Sequence, residues 1–128
     1  MLSNFALNVN LTKSSNNMSD SNKVISMDAM QAEWKEIQAA KSNKATFKPI
    51  YLRYYQPIFR FIYKRVADEN LAADICSQVF IKAIQKLESY QFKGVPYSAF
   101  LYRVASNEVT THFRKIQKNR IVSYEDAQ

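Results

Sequence analysis

Glycine and proline are scarce in this chain: one glycine and three prolines occur among its 128 residues. Hairpins, sandwiches and barrels depend on these residues for their turns, so a β-rich fold is poorly supported. Apolar residues make up 47% of the sequence, which is enough for a core, and the length suits one domain. We therefore predict an all-α protein, a compact bundle of about three core helices with an extra N-terminal helix.

Apolar residues recur at intervals of three or four in four segments, as they do along the buried side of a helix. The predicted helices cover roughly 28–41, a region that begins near Phe47, 70–88, and 97 to about 120. Asp28 is the expected N-cap of the first helix. Pro57 lies inside the second, where its missing N–H is expected to kink the helix or split it in two.

The fourth predicted helix has an unusual polar side. Its apolar side is expected to be anchored by residues at steps of four, Leu101, Ala105, Val109 and Phe113. The opposite side carries arginines, amides and hydroxyls, with Glu108 as the single acid. A helix face that only has to be solvated more often carries Glu and Lys four residues apart. The composition of this side therefore favours a binding partner.

Composition divides the chain into four parts. Residues 1–27 contain six Asn and six Ser without an apolar period, which predicts a disordered or loosely attached arm. Residues 28–46 hold the extra N-terminal helix, with Trp34 as an expected docking residue, and the polar break SNKAT. Residues 47–120 form the helical domain, and the short acidic stretch 121–128 is the predicted start of a linker.

The positive charge of the chain is concentrated in the predicted helical domain. The formal net charge is +7, with a sequence pI near 9.5. Residues 47–120 hold 13 Lys and Arg against five Asp and Glu, a balance of +8, and the flanking segments together sum to −1. A polyanionic partner or surface is therefore favoured.

Residue counts argue against an enzyme. Cys76 and His112 are the only residues of their types, so neither an internal disulfide nor a His/Cys metal cluster is expected, and Cys76 is expected to be a small buried hydrophobe. One glycine cannot make a phosphate-binding loop. Asp74 and Glu88 lie four turns apart on one predicted helix, too far for a pair of catalytic carboxylates. We expect no catalytic residue, no metal and no cofactor.

Targeting signals are also missing from the sequence pattern. The opening MLSNFALNVNLTK has neither the basic start nor the sustained apolar run of a signal peptide. No stretch approaches the roughly 20 apolar residues that a membrane span needs. A cytoplasmic protein without membrane insertion is the expectation.

Three motifs resemble one known family. DENLAADICSQVFIKAI, followed about twenty residues on by YSAFLYRVASNEVTTHFRK, resembles region 2 of bacterial RNA polymerase sigma factors, in particular the extracytoplasmic-function subfamily. The upstream YLRYYQPIFRFIYKR resembles the first helix of that family, including its internal proline. The matching positions are Ala72, Asp74, Ile75, Val79, Phe80 and Lys82, then Phe100, Leu101, Ala105, Asn107, Arg114 and Lys115.

The resemblance implies a compact helical module with two contact faces. It implies that the third helix binds the clamp helices of the β′ subunit of core RNA polymerase, through Asp74, Ser77, Gln78 and Lys82. It implies that the fourth helix and the loop before it bind and open promoter DNA at the non-template strand of the −10 element. By position the DNA-binding residues would be Arg103, Ser106, Asn107, Thr110, Thr111, Arg114, Lys115 and Lys118, with Tyr90, Phe92 and Lys93 in the loop 89–96. An anti-sigma factor is a further implied partner.

The residue types agree with that implication. Promoter opening uses cations that neutralise phosphates, amides that read base edges and aromatic rings that stack unpaired bases. The loop aromatics also fit a simpler interpretation, in which Tyr90 and Phe92 only close the core. A helical protein-interaction module without DNA binding is the alternative function.

The sequence departs from the family pattern at several sites. Ser77 and Gln78 stand where Gln and Glu are frequent, Ser106 replaces a common Arg, and Thr111 a common Asp. Phe100 replaces the usual Trp and preserves packing. The chain also stops where the family continues through a linker to a helix-turn-helix domain, so a truncated chain or excised domain is expected.

Overall fold

The computed structural model describes residues 26–127 and contains four α-helices in that range. They are α1 (Met27–Ser42), α2 (Lys48–Val66), α3 (Glu69–Gln85) and α4 (Tyr97–Ala127), with a short 3₁₀ turn (Lys44–Phe47) between α1 and α2. The all-α prediction is confirmed. The predicted arm, 1–27, lies outside the described residues except for its last two positions.

Local signals set the helix ends. Ser26, rather than the predicted Asp28, is the N-cap of α1, because its Oγ accepts a hydrogen bond from the Ala29 N–H at 3.1 Å. Asp28 lies in the first turn, where a negative charge suits the helix dipole. The polar break is present, and Asn43 within it accepts from the Ala45 N–H at 3.1 Å.

Pro57 does not split α2, which is continuous over 19 residues. The helix ends at Ala67, whose φ of 56° is left-handed and whose N–H donates to Tyr63 O at 2.8 Å. Asp68 follows at once and caps α3 by accepting from the Leu71 N–H at 2.9 Å. The predicted break at 67–70 is therefore a tight corner between two helices. α3 ends at Gln85, three residues before the predicted end.

The core lies between α2, α3 and α4, and α1 packs into it through Ile37 and Ala40. Burying one such aliphatic side chain stabilises a fold by about 1.5–3 kcal/mol. Cys76 is fully buried, as predicted. The fully buried residues are Ala40, Ile50, Ile58, Ile62, Ala72, Cys76, Val79, Leu87, Leu101 and Ala105.

α4 extends beyond the bundle. At 1.5 Å per residue its 31 residues span about 46 Å, whereas α2 and α3 span about 28 and 26 Å. Val109 is still buried, but Phe113 is 46% exposed, so the prediction that Phe113 anchors the helix is wrong. The helix also continues through 121–127, where the start of a linker is predicted, because this stretch contains neither glycine nor proline. None of the described helices is both long and apolar enough to cross a membrane.

Candidate functional site

The polar side of α4 forms an exposed band along the helix. At about 100° per residue, Arg103, Asn107, Thr110 and Arg114 fall within an arc of about 60°. This band presents two guanidinium groups, an amide and a hydroxyl to solvent. The predicted DNA-binding residues of α4 are all exposed: Arg103, Ser106, Asn107, Thr110, Thr111, Arg114, Lys115 and Lys118.

A cleft lies at the beginning of this band, between the loop that follows α3 and the first turns of α4. Its volume is about 290 Å³. Three of the predicted site residues, Tyr90, Lys93 and Arg103, meet here although they come from two segments. The lining residues are Lys86, Ser89, Tyr90, Gln91, Lys93, Val95, Ala99, Phe100 and Arg103.

Aromatic rings and cationic side chains both line the cleft. The Tyr90 ring packs edge-on against Phe100 at 5.3 Å and against Tyr97 at 4.9 Å between ring centroids. The Arg103 guanidinium lies 5.8 Å from the centroid of the Phe100 ring. Burial, and then the charge of Glu33, raise the pKa of Tyr90, so its hydroxyl stays neutral at physiological pH. The cleft therefore combines a ring surface with positive charge, a combination that accepts flat, anionic groups.

Phe92 has a different environment from Tyr90. It does not line the cleft; its ring stacks on Trp34 of α1 at 6.1 Å with an interplanar angle of 24°. The simpler interpretation of the loop aromatics, packing, therefore accounts for Phe92, whereas Tyr90 both packs and lines the cleft. Trp34 is a docking residue, as predicted. Gly94 lies in the same loop with φ of 77°, a conformation that favours glycine.

Six lining residues of the cleft were not among the predicted site residues: Lys86, Ser89, Gln91, Val95, Ala99 and Phe100. Phe100 was assigned a packing role alone, although its half-buried ring faces the cleft. Lys86 and Gln91 lie on the turn and loop that leave α3, where no helical period identifies a face. Their proximity to Arg103 depends on how the loop folds back onto α4.

The second predicted face lies on α3. Asp74 and Gln78 are exposed and Ser77 is half-buried, one turn apart on one side of the helix. Ile81 lies next to them and is 46% exposed, an apolar residue that the sequence reasoning left out of this face. Beside it runs a groove of about 500 Å³ whose walls come from the 3₁₀ turn, α2 and α3. Its lining residues are Lys44, Ala45, Phe47, Lys48, Tyr51, Ser77, Phe80, Ile81 and Ile84.

Lys82, the fourth residue predicted for this face, has an internal partner. Its Nζ donates to a carboxylate oxygen of Glu108 on α4, and the two form an ion pair. Glu108, the only acid of α4 before Glu125, is thereby neutralised by a residue of α3. Contact between Lys82 and a partner protein stays a prediction that competes with this pair.

Within residues 26–127 no group of three or more His, Cys, Asp or Glu side chains is arranged to hold a metal ion. Burial raises the pKa of the Cys76 thiol to about 12. At neutral pH this thiol is therefore protonated and enclosed by the core.

Comparisons with known proteins agree on one family. The family model for sigma-70 region 2 matches residues 50–119, more than half of the chain. ECF RNA polymerase sigma factor BldN of Streptomyces coelicolor is 29% identical over 79 residues, covering 61% of this chain and 30% of that protein. ECF RNA polymerase sigma factor SigM of Bacillus subtilis is 30% identical over 78 residues, covering 61% of this chain and 47% of that protein.

A third relative, ECF RNA polymerase sigma factor SigW of Bacillus subtilis, is 28% identical over 78 residues, covering 61% of this chain and 41% of that protein. The chain thus spans less than half the length of these relatives. No solved structure matches the chain significantly. The matched residues comprise most of α2, all of α3 and the greater part of α4, and they exclude α1.

Proposed function

Because the chain belongs to the sigma-70 region 2 family, we propose that it acts in transcription initiation, with α3 as its polymerase-binding face and α4 as its promoter-binding face. The proposed polymerase partner is the pair of clamp helices in the β′ subunit. The proposed DNA partner is the non-template strand of the −10 element. An anti-sigma factor that covers either face is a further proposed partner.

The convergence of Tyr90, Lys93 and Arg103 on one cleft is the observation that carries the DNA proposal. A base that leaves the duplex loses its stacking, at a cost of a few kcal/mol, unless a protein surface replaces it. Stacking on an aromatic side chain recovers about 1–3 kcal/mol per base. The rings of Tyr90 and Phe100 offer such a surface, and the cations beside them suit the phosphate of the same nucleotide.

The band along α4 continues from the cleft and supports the same proposal. A strand whose base enters the cleft would leave along Arg103, Asn107 and Arg114, which are exposed and lie on one side. Arginine neutralises phosphates whatever the sequence, whereas an asparagine amide can pair with a base edge. We therefore assign affinity mainly to Arg103 and Arg114, and sequence preference mainly to Asn107.

The α3 face has the composition of a protein interface. Ile81 supplies exposed apolar surface, and Asp74 and Gln78 supply polar groups beside it. Interfaces commonly combine an apolar centre with a polar rim. Asp74 is the acid of this face and is suited to a basic position on the clamp helices.

Binding of a labelled random-sequence pool of single-stranded DNA tests the promoter face. Asn107→Ala with Arg114→Ala is expected to weaken binding by at least about 30-fold, since each of the two contacts contributes about 1–3 kcal/mol. Asn119→Ala with Arg120→Ala is the matched control, because it removes the same side chains from another side of the same helix. Singly, Arg114→Ala should reduce the salt dependence of log K by about 0.7, whereas Asn107→Ala should leave it unchanged.

Equal losses in the two double variants would contradict the promoter face. If the parent chain binds no DNA at low salt and its basic face is buried in a stable oligomer, the alternative, a protein-interaction module, is favoured instead.

Association with a β′ clamp-helix peptide, measured by calorimetry, tests the polymerase face. Asp74→Asn is expected to weaken that association and to leave DNA binding unchanged. Glu69→Gln is the control, because it neutralises another exposed acid of α3. The polymerase face is wrong if Asp74→Asn binds the peptide as tightly as the parent chain does.

A further inference from the structure

α1 lies outside the part of the chain that matches the family model, yet it contacts the loop that forms the cleft. Within the described residues, the backbone hydrogen bonds of this loop stop at Tyr90 and resume at Ala99. The segment between them therefore has little internal support. Side chains of α1 supply the contacts that hold the loop in place.

Lys41 fastens the loop at Tyr90. Its Nζ donates a hydrogen bond of 2.7 Å to the backbone carbonyl of Tyr90. The same ammonium group lies 5.0 Å from the centroid of the Trp34 ring. One cation thus holds the loop backbone and the aromatic ring on which the loop rests.

Trp34 supports the loop on its other side. Its ring stacks on Phe92 and also lies 6.1 Å from the Tyr90 ring. Tyr90 lines the cleft and Phe92 does not. The indole therefore packs on Phe92 away from the cleft, while the Tyr90 ring contacts both the indole and the cleft. The stacking of Phe92 on Trp34 gives Phe92 a packing role in the loop.

Glu33 fixes the start of α4, where the loop ends. Its Oε1 accepts from the Tyr97 N–H at 3.1 Å, and its Oε2 accepts from Arg53 at 3.0 Å and from the Tyr54 hydroxyl. The carboxylate is buried. An acceptor with negative charge at a helix N-terminus is favourable, and here it comes from a helix 64 residues earlier in the chain.

We propose that α1 is a brace for the cleft, and that Lys41 and Trp34 are positioning residues for capture of the −10 strand. This proposal rests on the proposed promoter function. A loop that is ordered only part of the time binds its ligand more weakly in proportion to the ordered fraction. Loosening the brace therefore weakens DNA binding although no residue of α1 lines the cleft.

Lys41→Ala is the test variant, with Lys35→Ala as a control that removes the same charge from an exposed site on the same helix. Lys41→Ala is expected to speed hydrogen exchange at residues 91–95 and to weaken binding of the random single-stranded DNA pool by about five- to tenfold. Lys35→Ala should change neither by more than about twofold. Lys41→Arg, which keeps the charge and a donor, should show the exchange rate and the DNA affinity of the parent chain.

Trp34 is the only tryptophan, so its fluorescence reports on the brace directly. Lys41→Ala should make the indole more accessible to acrylamide, while thermal melts followed by circular dichroism confirm that the bundle remains folded. Unchanged exchange and unchanged quenching in Lys41→Ala would overturn the brace. A loosened loop with unchanged DNA affinity would overturn the positioning role.

The two proposals fail in different ways. If the parent chain binds no single-stranded DNA, the promoter function fails, and exchange and quenching still decide whether α1 braces the loop. If the parent binds DNA and Lys35→Ala weakens it as much as Lys41→Ala does, the effect is one of charge and the positioning role is refuted.

Discussion

Replacement of Glu33 should destabilise the fold more than replacement of any other acid of α1. Its buried carboxylate joins three helices, because it accepts hydrogen bonds from Arg53 and Tyr54 of α2 and from the N–H that begins α4. Burial, followed by the hydrogen bond and the charge of Glu33, raises the pKa of Tyr54, so this hydroxyl stays a donor through the neutral range.

The expected magnitude follows from the partners that Glu33→Ala leaves behind. The Tyr54 hydroxyl and the Tyr97 N–H lose their acceptor, at about 1–3 kcal/mol each when buried. Arg53 keeps its ion pair with Glu36 at 2.9 Å, and its side chain is 38% exposed, so the loss of its bond to Glu33 adds little to the cost in unfolding free energy. We expect a loss of about 3 kcal/mol in the free energy of unfolding. For a domain of this size that lowers Tm by about 10–20 °C.

Urea unfolding followed by Trp34 fluorescence and by far-UV circular dichroism measures this loss. Glu33→Gln, which keeps the volume, is compared with Glu36→Gln, which removes a partly exposed partner of the same arginine. We expect about 1–3 kcal/mol for Glu33→Gln and under about 1 kcal/mol for Glu36→Gln, each as a shift of midpoint with an unchanged slope. Equal costs for the two would refute the assignment of Glu33 as the buried junction.

Three other outcomes are expected. Leu101→Ala should cost about 2–5 kcal/mol of unfolding free energy and Phe113→Ala under about 1 kcal/mol, because Leu101 is fully buried and Phe113 is 46% exposed; similar Tm losses would contradict this. Burial raises the pKa of Cys76 from 9.0 to about 12, so between these pH values the folded chain holds more protons than the unfolded chain. The urea midpoint should therefore be level below pH 9 and fall above it. An increase of the midpoint above pH 9 would contradict this sign. Glu108→Gln should strengthen binding of the single-stranded DNA pool by about two- to threefold, since it removes a negative charge from α4 and leaves the charge of Lys82 uncompensated; weaker binding would contradict it.

The helices could be predicted from the sequence because their apolar period is local, but their ends and exposed faces could not. Ser26 and Asp28 can each cap a helix, and only the folded backbone shows which one accepts the Ala29 N–H. The apolar steps of α4 continue through Phe113, yet burial ends near Val109 because α2 and α3 are shorter. Periodicity specifies a side of a helix, not how much of that side is covered.

The candidate site was predictable in its residue types and not in its assembly. Arg103 and Tyr90 were named from motif and loop composition, and the structure brings both to one cleft. Which loop aromatic faces the cleft depends on Trp34, which lies more than fifty residues before Tyr90. No local pattern encodes a contact of that separation, so the sequence leaves both interpretations of Phe92 open.

The Lys82–Glu108 pair determines how the charges of the two proposed faces are separated. Lys82 neutralises Glu108, the only acid of α4 before Glu125, so the exposed charges along this part of the helix are cationic. The charge of Lys82 is committed to the same pair, which leaves Asp74, Gln78 and the apolar Ile81 as the exposed part of the α3 face. A basic face suits a phosphate backbone, whereas a face that combines an acid, an amide and an apolar side chain is open to a protein. One ion pair between adjacent helices thereby removes a negative charge from α4 and engages a cation of α3.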